Sequence, residues 1–247
     1  STATALCGMN GRYIEMDYQE TQMYGDVMAM VKKQLNDFTL DVAIGGSIND
    51  RITNSTRIDS KNASLKYANV FNLANIVMSS SASIDQKIDA HYQLQSVFAT
   101  AQIGYKEGVF LDLTARNDWS STLAYTKYEK KGFFYPSVGV SFLPDKWVKM
   151  PEWVSFSKLR GAYSIVGNGV PPFITYPVSY VTAGGEILAS DAAPFAEMKP
   201  EMPHSVELGM EWKFLQHRLG LNLTYYRTDT YEQFFKLPAL AGDKYAY

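Results

Sequence analysis

The stretch SVELGMEWKFLQHRLGLNLTYYRT, residues 205–228, decides the fold. Val206, Leu208, Met210, Trp212 and Phe214 alternate with Ser205, Glu207, Gly209, Glu211 and Lys213. After Leu215–Arg218 the alternation resumes: Leu219, Leu221, Leu223 and Tyr225 against Gly220, Asn222, Thr224 and Tyr226. A period of two puts one set on each face of a strand. Two such runs joined by about four residues form a hairpin. The apolar set of the first run carries no charge, whereas the polar set carries Glu207, Glu211 and Lys213.

The same device recurs upstream. Val97, Ala99, Ala101, Ile103 and Tyr105 share a face, and Val109, Leu111, Leu113 and Ala115 follow after Lys106-Glu107-Gly108. That tripeptide reads as a tight turn whose glycine supplies a positive φ. Asp112, Thr114, Arg116 and Asp118 fall on the opposite face, together with two misfits, Phe98 and Phe110. Shorter runs centre on Leu40–Ile44, Val138–Phe142 and Leu159–Ile165, with a weak one near Tyr24–Val31. About eight strands result.

The connections sort into two kinds. Short ones are expected near Lys32–Asp37, Lys106–Gly108, Pro144–Val154 and Leu215–Arg218. Long ones are expected at 49–91, 119–132 and 167–203. Short and long alternate along the chain, as in an up-and-down membrane barrel with tight turns on one rim and long loops on the other. A soluble sandwich or lipocalin-like barrel would also alternate, with its apolar face inside. Three features favour the membrane reading: the density of charge on the polar faces, the segregation of loop lengths, and aromatics at strand ends (Phe133–Tyr135, Trp147, Trp153, Trp212 and Phe214). A charge facing lipid costs about 2–4 kcal/mol at the midplane. The apolar stripe therefore reads as the lipid face and the charged stripe as a wet lumen.

Composition agrees with this. Tyr, Phe and Trp number 17, 13 and 4. Mean hydropathy is −0.18, with no apolar run long enough for a spanning helix. That excludes a helical membrane protein but not a barrel, whose alternation hides its hydropathy. With 23 basic and 25 acidic residues there is no basic stripe to bind nucleic acid. Cys7 stands alone, and His91, His204 and His217 are scattered, so no metal site or cofactor is expected. No Ser/His/acid set assembles, which argues against an enzyme. The opening STATALCGMN has neither an initiator Met nor the form of an export signal, so the chain is expected to begin inside a longer polypeptide.

Several segments carry a family resemblance. LQSVFATAQIGYKEGVFLDLTARNDWSSTL (residues 94–123) resembles the central barrel of the SusC/RagA-like TonB-dependent outer-membrane transporters. GFFYPSVGVSFL (132–143), FSKLRGAYSIVGN (156–168) and the segment from Met198 to Phe235 are similar to successive parts of that family, in order. The resemblance implies an all-β, antiparallel up-and-down transmembrane β-barrel, of which this chain is an arc of about eight strands out of about 22 around a plugged lumen. It implies a plug and a TonB-contacting part that lie outside residues 1–247, and a SusD-like lipoprotein over the outer mouth of a Gram-negative outer membrane. The cargo it implies is oligosaccharide or peptide. Arg116, Asp118, Trp119, Lys158, Arg160, Glu207 and Glu211 are the candidate substrate or lumen contacts. The competing reading is an adhesive surface barrel that binds glycan or host partners without transport.

Overall fold

The computed structural model describes residues 8–78, 83–175, 179–181, 187–188 and 195–234. Eight strands form one sheet: β1 (Ile14–Leu35), β2 (Phe38–Asp59), β3 (Ser83–Tyr105), β4 (Val109–Ser120), β5 (Phe133–Phe142), β6 (Val154–Ile165), β9 (Met202–Phe214) and β10 (Leu219–Tyr231). Each pairs antiparallel with its neighbour in chain order. The short strands β7 (Tyr180–Val181) and β8 (Ile187–Leu188) pair apart from it. Among the described residues β1 and β10 each have one partner strand, so the meander is an open arc.

The sheet is inside-out relative to a soluble protein. On β9, Val206 and Leu208 are 40% and 56% exposed, while Glu207 between them is half-buried. Val138 and Val140 are exposed while Ser137, Gly139 and Ser141 are half-buried. Leu65, Ile76, Leu123, Val170 and Met198, all nearly fully buried, belong to connections rather than strands. A sheet whose apolar stripe faces outward without a covering layer is stable only where the surroundings are hydrocarbon.

Register aligns the outward stripe across the arc. Leu40, Ile103, Leu111 and Val140 fall in one row, and Leu159, Met210 and Leu223 fall in another. On β2 the uncharged outward set runs from Phe38 to Ile48, about 33 Å along the strand at about 3.3 Å per residue. At the usual tilt of about 40° that is close to the ~25 Å height of a barrel's apolar belt. Aromatic rings gather at the tight-turn rim. Phe38 meets Tyr105 at 4.7 Å, Tyr105 meets Trp147 at 5.6 Å, and Trp153 and Trp212 both stack on Phe214. On the other rim His204 sits between Tyr163 and Tyr231. Amphipathic rings at both edges mark the two water–lipid boundaries.

Two expectations need correction. First, the connection expected at 49–91 is much shorter: β2 continues to Asp59 and β3 begins at Ser83. β1 likewise extends the weak run at Tyr24–Val31 in both directions, leaving a turn at Asn36-Asp37. β4 reaches Ser120 and β9 begins at Met202. Above the apolar belt both strand faces meet water, so polar residues such as Asp50, Arg51, Thr53 and Asn54 occupy both and the alternation that marks a strand disappears. Second, Gly108 does not supply the positive φ of its turn. Lys106 and Glu107 do, at 48° and 53°. Gly108 is required because a Cβ there would lie 2.0 Å from Trp147 Nε1.

The long connections are anchored. In the 60–78 segment, Ala63, Leu65 and Ile76 pack with Tyr13 and Ile58. Beside them Asp59, 1% exposed, accepts hydrogen bonds from Arg12 Nε (2.8 Å) and Nη2 (2.7 Å), Arg57 Nη2 (2.7 Å) and the Lys61 amide (2.9 Å). These donors, Arg12 foremost, hold its carboxyl far below the ordinary carboxylate range. A depressed native pKa stabilises above the unfolded value of about 4 and loses that stabilisation as pH falls below it. The segment should therefore hold its structure unchanged from neutral pH down to about pH 4 and loosen only in stronger acid. Asp59→Asn should loosen it already at pH 7, by about 1–3 kcal/mol. Limited proteolysis would then cut at 60–78 while the barrel stays intact, and equal resistance of variant and wild type would refute the anchor.

Candidate functional site

The inward face of the arc is a largely polar wall, interrupted by Met28, Met30, Phe98 and Phe110. Arg116 donates from Nε to Asp118 Oδ1 and from Nη2 to Ser96 Oγ, both at 2.7 Å. Gln102 Nε2 donates to Asp112 Oδ1 at 2.6 Å. Arg160 donates to Glu207 at 3.1 Å and to Thr224 Oγ1 at 2.7 Å. Lys213 pairs with Glu211 at 3.3 Å, and Lys158 stands opposite Glu211 in the ladder. Towards β1, Lys32 pairs with Asp41 at 2.7 Å and Arg51 pairs with Glu20. Acids and bases are matched both along single strands, as in Arg116–Asp118 and Lys213–Glu211, and across adjacent ones, as in Arg160–Glu207, Lys32–Asp41 and Arg51–Glu20.

Glycines shape this wall. Arg160 lies flat across Gly209, where a Cβ would come within 2.6 Å of its Nε. Phe98 lies over Gly45 and Phe110 over Gly104 in the same way. This explains the two misfits on the polar face: each ring covers a neighbouring strand where no side chain competes.

Six of the seven candidate residues share the inward face: Arg116, Asp118, Lys158, Arg160, Glu207 and Glu211. They form two groups, one on β4 and one across β6 and β9. Trp119 does not join them. Alternation turns it to the outward face, beside Asn117 and close to Gly132, where it is 38% exposed. As an aromatic at the loop-side end of the outward stripe it belongs with the interfacial rings. Sequence reading missed the pairing of Arg116 with Ser96, of Gln102 with Asp112 and of Arg51 with Glu20. Each pair joins different strands, and only register shows it.

Among the described residues no three His, Cys, Asp or Glu side chains converge as metal ligands, and no helix is long and apolar enough to cross a membrane. The inward face is a hydrogen-bonded polar wall backed by an apolar outward stripe. An antiparallel meander with that polarity defines a transmembrane β-barrel wall.

The particular family follows from comparison with known proteins. Residues 4–246 match the family described as TonB dependent receptor-like, beta-barrel, and the chain belongs to it. It is therefore part of an outer-membrane barrel. Among curated proteins none matches in sequence. Among solved structures, the RagAB peptide transporter aligns with a TM-score of 0.75 at 18% identity, covering 94% of this chain and 26% of that one. The RagAB peptide importer in its closed-closed state gives the same values. Its open-open state gives 0.74 at 17% identity, covering 97% and 27%. This chain thus spans about a quarter of the length of the chains it resembles, and at such identity the likeness carries the fold.

Proposed function

We propose that the chain is one sector of the barrel wall of a TonB-dependent importer in the outer membrane of a Gram-negative bacterium. In this reading oligosaccharides or peptides are taken up together with a SusD-like lipoprotein. The observation that carries it is the polarity of the sheet: an uncharged stripe turned out to lipid and a self-paired polar face turned in. The family supports the coupling to TonB, the likeness to the RagAB peptide importer supports peptide as cargo, and the lipoprotein partner rests on the SusC/RagA-like segments of the sequence. The connections at 60–82, 121–132 and 166–201 would face outside, with the tight turns facing the periplasm. The plug and the segment that meets TonB would lie elsewhere in the same polypeptide. Arg116, Asp118, Lys158, Arg160, Glu207 and Glu211 would line the wet path, and no residue of this wall is assigned a catalytic role.

Uptake measured in cells tests this reading. Cells carrying the full-length protein should accumulate labelled oligosaccharide or peptide mixtures, and loss of TonB should abolish accumulation while leaving surface binding in place. Loss of the partner lipoprotein should lower uptake at limiting cargo. Accumulation that persists without TonB, or binding that is never followed by uptake, would overturn it, the latter in favour of the adhesive barrel.

A further inference from the structure

The outward face is not evenly covered by large side chains. Ala99, Ala115 and Pro136 fall in one row across β3, β4 and β5, and Ala101 lies two residues nearer the tight turn. Larger residues stand around them. Ile44 and Val97 are 58% and 51% exposed, and Leu113, Val138 and Tyr163 also project. The result is a groove of about 390 Å³ in the outward surface, floored by alanines and a proline. Its residues lie on β2 to β6, away from both edges of the arc. A groove that takes one chain along its length gains dispersion contact on three sides, which a convex surface facing fluid hydrocarbon does not.

Depth in the membrane narrows the occupant. Leu113 is four residues from Val109 at the tight turn, so it stands about 10 Å above that rim at about 3.3 Å per residue and a tilt of about 40°. Asn117 and Trp119 are eight and ten residues from Val109 on the same face, which puts them about 20–25 Å above it. The groove therefore starts near the middle of the apolar belt and climbs towards its loop-side boundary, spanning the outer leaflet alone. At that boundary the chemistry changes. Asn117, half-buried, and the Trp119 indole N–H have no hydrogen-bond partner among the described residues. The backbone at Gly132 runs so close to both that a Cβ there would lie 2.1 Å from Asn117 Nδ2 and 2.9 Å from Trp119 Cε2. Gln95, opposite Trp119 in the ladder, adds a second amide. Polar groups held in this way without a partner mark a place where a hydrogen-bonding ligand sits.

We propose that this groove holds an acyl chain of an outer-leaflet sugar lipid, with Asn117, Trp119 and Gln95 bonding the sugar head group at its upper end. The apolar floor is continuous with the lipid-facing stripe, and its lower end lies where an outer-leaflet chain ends. The polar groups at the top are two amides and an indole, with no cation among them. Amides both donate to and accept from hydroxyls, and an indole presents a flat apolar face with one donor, which together fit a sugar better than a bare phosphate. The inference rests on the outward face meeting lipid. Its test involves neither transport nor TonB, so it and the importer reading can fail separately.

The test is lipid retention by the purified full-length protein, read by native mass spectrometry after incubation in mild detergent with lipid A or with dioleoyl phosphatidylethanolamine. The wild type should retain lipid A in preference to the phospholipid. Ala115→Leu, or separately Ala99→Leu, should lower the lipid A retained by about tenfold, since each leucine displaces a few methylenes of chain from the groove. Val140→Leu adds the same kind of bulk to the outward face of β5 outside the groove and should retain lipid A as the wild type does. Asn117→Ala/Trp119→Phe leaves the groove open and should bring lipid A down to the level of the phospholipid. Heat-modifiable gel mobility shows that each variant still forms the barrel. Equal retention by Ala115→Leu, Ala99→Leu and the wild type would overturn the proposal, and loss of a dimeric species in those variants with lipid unchanged would overturn it in favour of a second copy of the chain. Equal retention of lipid A and phosphatidylethanolamine by the wild type would overturn the sugar head group.

Discussion

Leu113→Arg is expected to destabilise the barrel by about 2–4 kcal/mol, while Thr114→Arg, one residue further on, is expected to change stability by less than about 0.5 kcal/mol. The two positions are neighbours on β4 with opposite orientation. Leu113 points out, 39% exposed, in a shallow groove of about 390 Å³ lined by Val42, Ala99, Ala101, Ala115 and Val138. Thr114 points in, opposite Ser137 and Thr100. A guanidinium at position 113 would meet hydrocarbon at the level where charge is least tolerated, while at position 114 it would meet water and a wall already rich in Arg–carboxylate pairs. Loss of a charge-tolerant site also occurs in a soluble core, so a third substitution separates the two readings. Leu113→Phe should be nearly neutral, since fluid acyl chains adapt to an added ring. A close-packed protein core would reject it by about 1–3 kcal/mol. Urea unfolding in lipid vesicles, with heat-modifiable mobility as the folding readout, measures all three. A destabilising Leu113→Phe would place a protein layer, not lipid, over this face.

How much of this was legible in the sequence depends on depth in the membrane. Within the belt the two strand faces meet different solvents, and selection of residue type is strict. The β9–β10 hairpin was readable residue by residue for that reason, as were the turn at 215–218 and the uncharged outward set. Above the belt both faces meet water. There the upper part of β2, residues 49–59, carries Asp50 and Arg51 on opposite faces, and nothing in its order distinguishes strand from loop. Opposite Thr53 and Asn54 the register skips one residue of β3, between Ile88 and Ala90, which breaks the period of that strand as well. The roles of glycines were illegible for a different reason. Gly108 and Gly45 answer to Trp147 and Phe98, which are far away in sequence and approach only through the fold.

The candidate site divides along the same line. That Glu207, Glu211, Arg116 and Asp118 face inward follows from parity on a single strand. Parity also separates Trp119 from Arg116 and Asp118, since an odd step along a strand changes face; reading the three as one motif overlooked that. The partners could not be read. Ser96 lies twenty residues from Arg116, and Arg160 lies 47 from Glu207. Which residues meet depends on the stagger of three strands, set by turns whose lengths the sequence shows only roughly.

Arg116→Ala is expected to destabilise this sector by about 1–3 kcal/mol, because it leaves Asp118, 17% exposed, and the nearly buried Ser96 hydroxyl without their donor. Asp118→Ala should cost less, since Arg116 keeps Ser96 and is 40% exposed to water. The double variant should regain part of the loss, with a coupling of about 0.5–3 kcal/mol in a double-mutant cycle. Uptake then separates two roles that stability alone confounds. The pair lies beneath the packed connections that carry Leu123 and Met198, with Tyr135 beside Arg116 in the ladder. Each partner is satisfied within the wall, so Arg116→Ala/Asp118→Ala should take up cargo at the wild-type rate per folded barrel. Arg51→Ala, on the lumen face of β2, should change stability by less than about 0.5 kcal/mol, because its exposed pairing with Glu20 contributes little to folding. Slower uptake at limiting cargo in that stable barrel would place the cargo path along β2, and slower uptake in the Arg116→Ala/Asp118→Ala double variant would place it along β4.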